Sequence, residues 1–299
     1  MGTRFGGWGD LSDEEWARLE PHLPANRGRG GRWQCHRRVI NGILFRQRTG
    51  LPWRDLPPRF GRWKTVHDRH RRWSVDGTWE RILRAVQADA DTEGRIDWSM
   101  VSVDSTTCRA HQHAAGASTC APKIPGRRRR PARHRSDEAL GRSRGGLTCK
   151  IHLVGEGGCR PLGFVITPGQ WGDAPQMIPV MEEIRVPRQA GGRPRTRLDH
   201  VGGDKAYSSR RNRRHLRRRQ IKHTIPEPRD QRANRWRRGS QGGRPTGVGK
   251  AIYRRRNEVE RTINRLKNFR AIATRYDKRA YVFHGTVTVA AIRLWLRLG

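Results

Sequence analysis

Acidic residues are scarce in this chain: 27 Asp and Glu stand against 64 Lys and Arg, a net charge of +37 over 299 residues. So large an excess of one sign repels itself in a compact fold, and the balance points to a polyanionic partner, nucleic acid first of all. Long apolar runs are missing as well. No stretch offers the roughly 18 uninterrupted apolar residues that a membrane span needs, and the apolar run at 287–298 is cut by Arg293 and Arg297. That run reads as a core helix, and no membrane partner is expected. The opening decapeptide, MGTRFGGWGD, has no apolar segment of the kind a secretory signal carries, so a cytoplasmic, nucleoid-associated protein is expected. Cysteine is sparse, five in number and irregularly spaced, which argues for reduced thiols and against a disulfide framework. No internal repeat is visible. With 33% hydrophobic residues the chain has enough for one sizeable core and a small helical module beside it.

The first 95 residues read as all-α. Ser12 and Glu15 in LSDEEW form a capping-box pattern that starts a helix running to about Leu23, where Pro24 ends it. After a Gly/Arg linker at 26–31, residues 34–48 place Val39, Ile40, Ile43 and Leu44 at helical spacing and stop at Gly50. Two more helices are expected at 63–73 and 78–88. In the first of them Lys64, His67, Arg69, His70, Arg71 and Arg72 surround a thin apolar strip of Val66 and Trp73. That makes it the candidate for contact with a DNA groove in a helix-turn-helix arrangement, through Lys64, His67 and Arg71 above all, or for phosphate contact alone.

Residues 96–299 change character. Met100-Val101-Ser102-Val103 alternates as a strand and leads to Asp104; a second strand at 197–202 leads to Asp204. A carboxylate after a strand is commonly a turn former, yet a strand end also holds a metal ligand firmly. Cys108, His111, His113 and Cys120 have spacings that fit no common zinc module, which leaves His111 and His113 as candidates for DNA contact near Asp104. Residues 121–146, with four consecutive arginines from Arg127 to Arg130, read as a mobile basic loop. Strands at 141–154 and 161–167 make a hairpin around the turn 155–158; a helix at 174–184, an arginine-rich helix at 208–219 and a short strand at 221–225 follow. The segment 226–250 shows no helical or strand period, carries five arginines between Arg229 and Arg238, and encloses Trp236. It reads as a basic insertion, with Trp236 either packed by arginine stems or stacked on an unpaired base.

Residues 253–267, YRRRNEVERTINRLK, wind into a helix with three faces. Val259, Ile263 and Leu266, with Ile252, make an apolar stripe. Tyr253, Arg256, Glu260, Asn264 and Lys267 fall together within an arc of roughly 80° beside it. Alone, that arc is either a salt-bridged surface, with Arg256 and Glu260 as an i, i+4 pair, or a site.

The spacing Tyr253, Arg256, Glu260, Lys267 resembles the signature of DDE transposases of bacterial insertion sequences, and residues 256–278 are similar to the C-terminal block of the insertion-sequence-five family. VDSTT at 103–107 with HQHAAGA at 111–117, PGQWGDAPQ at 168–176, DKAY at 204–207, and residues 51–83 also resemble blocks of that family, in its order. The resemblance covers nearly the whole chain and implies an RNase H-like α/β fold, a mixed sheet flanked by helices, preceded by a small all-α DNA-binding module. It implies a transposase that binds the terminal inverted repeats of its element, cleaves the phosphodiester and joins the 3′-hydroxyl end to target DNA. By the same resemblance Asp104, Asp204 and Glu260 are the catalytic metal ligands, holding two Mg²⁺ ions for which Mn²⁺ can substitute. Tyr253, Arg256 and Lys267 would orient terminal phosphates, and at least a homodimer would assemble on double-stranded DNA. Two departures from the pattern are Gly202-Gly203, where a small apolar residue is expected before the aspartate, and GRPTGVGK at 243–250, which is less apolar and less acidic than the family's stretch. They keep open a decayed or domesticated DNA-binding protein, and a structure-specific nuclease or resolvase on the same fold is a further alternative.

Overall fold

A computed structural model describes residues 9–25, 33–117, 137–245, 247 and 249–297. The N-terminal part is helical: α1 (Asp13–Leu19), α2 (His36–Thr49), α3 (Trp63–Val75) and α4 (Thr78–Thr92). The capping box is formed, Glu15 N–H donating to Ser12 Oγ and Ser12 N–H to the Glu15 carboxylate. Pro21, which has no N–H to continue the α ladder, converts the end of the first helix into a short 3₁₀ turn. Gly50 closes α2 at φ 72°, a left-handed cap that glycine adopts without strain.

The expectation of a fully basic α3 surface needs correcting at two positions. Arg69 and His70 are buried. Arg69 lies over the rings of Trp33 and Trp73, at 4.4 and 5.2 Å, and His70 faces Trp53 and Trp79. The face of α3 that Val66 and Trp73 mark is therefore broader than its apolar letters suggest, because guanidinium and imidazole rings pack on tryptophan as flat surfaces. Lys64 and Arg71 stay exposed and His67 half-buried.

What α3 and α4 pack against comes from the far end of the chain. Helix α12 (Ala280–Leu296) is buried along its full length. It carries β-branched residues throughout, poor for an isolated helix, so tertiary burial holds it in place. It lies on α3, α4 and the sheet, and the buried apolar residues form one continuous core. No helix among the described residues is long and apolar enough to cross a membrane.

His70 sits at that junction. Its Nε2 meets Thr286 Oγ1 at 3.2 Å, and the same hydroxyl donates to Asp277 at 2.7 Å, so the ring is the neutral Nε2–H tautomer. Burial lowers its pKa to about 4, Asp277 opposing and Arg46 and His67 adding to the effect. His152, buried on the sheet, is lowered by burial to about 4 as well. A depressed histidine gives stability that is complete above the unfolded value near 6.5 and is lost as pH falls from there to about 4. Each site is worth on the order of 3 kcal/mol across that window. Urea midpoints measured from pH 7 down to pH 5 should fall steeply, and His70→Asn should flatten the slope; an unchanged slope would show that His70 does not set it.

The sheet has seven strands: β1 (Val101–Ala110), β2 (Gly141–Ser143), β3 (Gly146–Glu156), β4 (Pro161–Pro168), β5 (His200–Gly203), β6 (Lys222–Thr224) and β7 (Thr274–Arg275). The main path is β2-β3-β1-β5-β6, with β4 beside β3 and β7 beside β1. The β1–β3–β4 part is antiparallel, while β5, β6 and β7 join in parallel. The helices α5 (Gln112–Ala115), α6 (Met177–Glu182), α7 (Arg210–Arg218), α8 (Arg229–Arg237), α9 (Lys250–Arg254), α10 (Asn257–Lys267) and α11 (Arg270–Ala273) complete the chain, giving the expected mixed α/β, RNase H-like architecture.

Three expectations about elements are corrected. The first strand continues well past Asp104, because β3 stays paired with it as far as Arg109. Part of the supposed mobile loop, residues 137–146, is ordered: Glu138 is buried and accepts from Ala280 N–H and Arg279, capping the start of α12, and β2 follows. The arginine run 127–130, like Cys120 and the linker 26–31, lies outside the described residues. Finally, the basic insertion contains α8. It has no apolar face to reveal it by period, yet Gln231 exchanges two 2.8 Å hydrogen bonds with Ser208, which anchors the helix without a hydrophobic stripe.

Candidate active site

The edge of β1 that faces β5 is occupied only at its ends. β5 pairs with Val101–Val103 in parallel, β7 pairs with Arg109 and Ala110, and among the described residues no strand covers positions 104–108 between them. Asp104 is the first residue of this opening. Val103 is paired with Gly203, so Asp104 and Asp204 leave neighbouring parallel strands at the same level. The two glycines noted as a departure have a local correlate at Gly202, where a Cβ would lie 2.5 Å from Met100 Cε and 3.0 Å from Ser102 Oγ, so those side chains fill the space that a larger residue would take.

Each aspartate is held by backbone. Asp104 Oδ1 accepts from Ser105 N–H at 2.8 Å, and Asp204 Oδ1 accepts from Ala206 N–H at 2.9 Å, capping a short 3₁₀ turn. The third carboxylate comes from α10. Arg256 joins the pieces: its guanidinium donates to Glu260 at 2.6 Å and stands 3.8 Å from Asp104, and it lies 5.6 Å from the Tyr253 ring. Burial raises the pKa of Asp104; Asp204 and Glu260 raise it further, while the Ser105 N–H and Arg256 pull it down. Asp104 thus lies near enough to feel the charge of both other carboxylates.

The helix of 253–267 is not continuous, a further correction. Arg255, Arg256, Glu258 and Val259 bond to carbonyls three residues back, so α9 and α10 meet in a tightened turn. Arg255 anchors it, donating to Asp97 at 2.5 Å and Glu258 at 3.1 Å. The turn leaves Ile252 exposed outside the expected apolar stripe, whereas Val259, Ile263 and Leu266 are buried. Lys267, seven residues beyond Glu260, lies about 10 Å further along α10, where its charge acts on the thiol of Cys108.

The donor set is three carboxylates with no sulfur or imidazole, chemistry that suits a hard divalent cation. Among the described residues no three His, Cys, Asp or Glu side chains converge closely enough to hold a metal as they stand. The cation between Asp104 and Glu260 is the Arg256 guanidinium. The donors therefore fit a metal in kind, and Arg256 keeps two of them together.

Sequence reasoning missed Asp173. Its Oδ1 accepts from Ser105 Oγ at 2.8 Å and Lys150 Nζ at 3.0 Å, with His152 Nδ1 at 3.6 Å. Burial, followed by Asp173, Asp104 and Asp204, raises the phenol of Tyr207, which stays protonated. Asp173 lies in the PGQWGDAPQ segment, and its signal was a carboxylate just past a strand end, the same as at Asp104.

Other expected residues fall elsewhere. His67 and Arg71 of α3 and His111 and His113 beyond β1 share one cleft of about 550 Å³ between the helical part and the sheet. Cys108 is buried opposite Cys149 on β3 and turns away from those histidines. Lys64 is exposed on α3 outside that cleft, and Trp236, 69% exposed, projects from α8 with Arg232 beside its ring at 5.8 Å.

Comparison with known proteins agrees with this geometry. The family "Transposase DDE domain" matches residues 99–295, and "Putative transposase of IS4/5 family" matches residues 11–83. An uncharacterized protein, y4sN, of Sinorhizobium fredii is 38% identical over 36% of this chain and 82% of its own length. The transposase assigned to insertion sequence element IS6501 of Brucella ovis is 29% identical over 50% of this chain and 100% of its own length. That of IS402 of Burkholderia cepacia is 32% identical over 46% of this chain and 56% of its own length. A solved pre-cleavage Mos1 transpososome aligns over 84% of this chain and 81% of that one at 7% identity, with a TM-score of 0.26, too slight a likeness to argue from. With a DDE domain matched over 99–295 and the IS4/5 transposase family matched over 11–83, the chain belongs to the DDE transposases of the IS4/5 type.

Proposed function

We propose that this transposase binds the terminal inverted repeats of its own element, cleaves the phosphodiester there and joins the resulting 3′-hydroxyl to target DNA. The observation that carries the reading is the pairing of Val103 with Gly203, which sends Asp104 and Asp204 side by side into an uncovered stretch of sheet edge that Arg256 links to Glu260. Asp104, Asp204 and Glu260 would hold two Mg²⁺ ions, or Mn²⁺ in their place, which supply an activated attacking oxygen and a neutralised leaving oxygen.

The chain's own residues do the rest. Ser105 and Ala206 N–H groups fix the two aspartates, so the donors are oriented before anything binds. Arg256, between Glu260 and the Tyr253 ring, would hold a terminal phosphate with its fork of N–H donors. Lys267 adds a point charge further along the same helix. The helical part, residues 1–95, presents exposed Lys64 and Arg71 on α3 to DNA. Pairing of two ends calls for at least a homodimer on DNA, acting in the bacterial cytoplasm.

Incubating the protein with the DNA that flanks its own gene, Mg²⁺ and a target plasmid tests the reading. Cuts at the element's ends followed by joining are expected. No cutting would remove the proposal, and cutting without joining would turn it toward a nuclease.

Trp236 carries a smaller prediction. An exposed indole beside Arg232 offers a stacking surface for an unpaired terminal base, an interaction worth about 1–3 kcal/mol. Trp236→Ala should slow end processing by roughly 5- to 100-fold at nearly constant affinity. A mismatched terminal base should restore part of the rate; a normal rate on intact ends would make α8 only a basic surface.

A further inference from the structure

The cleft between the helical part and the sheet has a floor that no role described so far uses. Arg46 of α2 lines it and is only 4% exposed, yet its Nε and Nη1 have no hydrogen-bond partner. The guanidinium is held between two rings, 4.9 Å from Trp53 and 5.6 Å from Tyr276, which fix its plane without satisfying its N–H groups. Among the described residues one carboxylate lines the cleft, Asp277: its Oδ1 pairs with Arg46 Nη1 at 3.8 Å, beyond hydrogen-bond reach, and its Oδ2 accepts from Thr286. Around the mouth stand Arg71, Lys278, His67 and His111. Asp277 balances the charge but leaves Nε and Nη1 without a hydrogen bond, a cost of about 1–3 kcal/mol for a buried donor, so the guanidinium has donors left for an anionic acceptor from outside.

At about 550 Å³ the cleft has the size of a small-ligand pocket, commonly about 300–1,000 Å³. It admits a single nucleotide unit and not a duplex. We propose that it binds one phosphodiester of a DNA strand passing from α3 to the catalytic sheet, with Arg46 as the buried anchor and Arg71 and Lys278 as the outer partners. The proposal rests on the DNA-binding reading above and adds a position to it. His111, in the cleft, is seven residues beyond Asp104, about 23 Å along an extended chain. One strand of DNA advances about 3.4 Å per nucleotide, so the anchored phosphate lies within about seven nucleotides of the one cut.

The test is a double-mutant cycle between protein and phosphate, read as binding in EDTA so that no catalysis is needed. Duplexes of the flanking DNA carry a single neutral methylphosphonate at successive positions on either strand. They are bound to the full-length protein, to Arg46→Gln and to Arg71→Ala/Lys278→Ala; the last pair removes only exposed side chains and keeps the test open if Arg46→Gln fails to fold. Each variant should weaken binding of unmodified DNA about ten-fold near 0.1 M salt and lower the salt slope by about 1 for each cation removed from a phosphate. At one position within about seven nucleotides of the cut, methylphosphonate should weaken the wild type and leave the variants unaffected. Additive effects at every position overturn the proposal. Absence of cutting with Mg²⁺ while the coupling persists would instead fail the catalytic reading and leave this one standing.

Discussion

Asp104→Asn should abolish cleavage and joining, by at least about 10³-fold, or about 4 kcal/mol of barrier, and at the same time leave the protein no less stable than before. The loss follows from removing a carboxylate donor while the basic surface remains, so affinity for end DNA in EDTA should change by no more than a few-fold. The stability follows from the sign of the shift. Burial, with Asp204 and Glu260 adding to it, raises the pKa of Asp104 above the ordinary value near 3.8. The folded state therefore holds that proton more tightly than the unfolded chain does. The charge costs stability above the folded-state value, and the cost fades as pH falls through the carboxylate range. Asparagine keeps an acceptor for the Ser105 N–H and removes the charge, while Arg256 keeps Glu260. Each kcal/mol relieved should raise the thermal midpoint by about 2–4 °C. Asp204→Asn and Glu260→Gln should be equally inactive. Retained activity in any of the three would remove that residue from the site, and a lower midpoint for Asp104→Asn would mean that Asp104 is a structural anchor.

Trp295→Ala should be the most damaging single change to the fold. The indole is fully buried on α12, donates to the Pro161 carbonyl at 2.7 Å and is covered by Arg160 at 4.4 Å. Truncation leaves a cavity the size of the ring system and takes one of two donors from the Pro161 carbonyl, which keeps Gln87 Nε2 at 3.1 Å. Such a change typically costs about 3–5 kcal/mol, a fall of roughly 10 °C in the thermal midpoint for a chain of this size. Because α12 serves the helical part and the sheet together, probes of each should melt together; two separate transitions would contradict the continuous core.

Much of this fold is legible in the amino-acid order alone. Alternation located the start of β1, the turn at 155–158 located the β3–β4 hairpin though not the break that separates β2 from β3, the Ser12–Glu15 box located the first helix, and the spacing from Tyr253 to Lys267 led to the group that Arg256 gathers. The misreadings share a cause: they fall where long-range interactions override local period. β1 runs on past Asp104 because β3 pairs with it. α8 exists because Gln231 grips Ser208. Arg69 and His70 are letters of an exposed face until the tryptophans around them are located. Asp173 and Arg46 were the least legible, since a carboxylate after a strand and an arginine on an amphipathic helix are ordinary in sequence. Only the partners of the one and the unmet hydrogen bonds of the other set them apart.

The placement of α12 has a consequence in time. The apolar faces of α3 and α4 are complete once Thr92 has been made, but the helix that covers them begins at Ala280. At about 5–20 residues per second the intervening stretch of about 190 residues takes roughly 10–40 s to synthesise. During that interval the growing chain exposes Trp73, Trp79 and their neighbours without their cover, and α3 has no settled framework from which to meet DNA. Helix α12 thus acts as a timer: α3 gains the support from which it can meet DNA only after the catalytic sheet has been made.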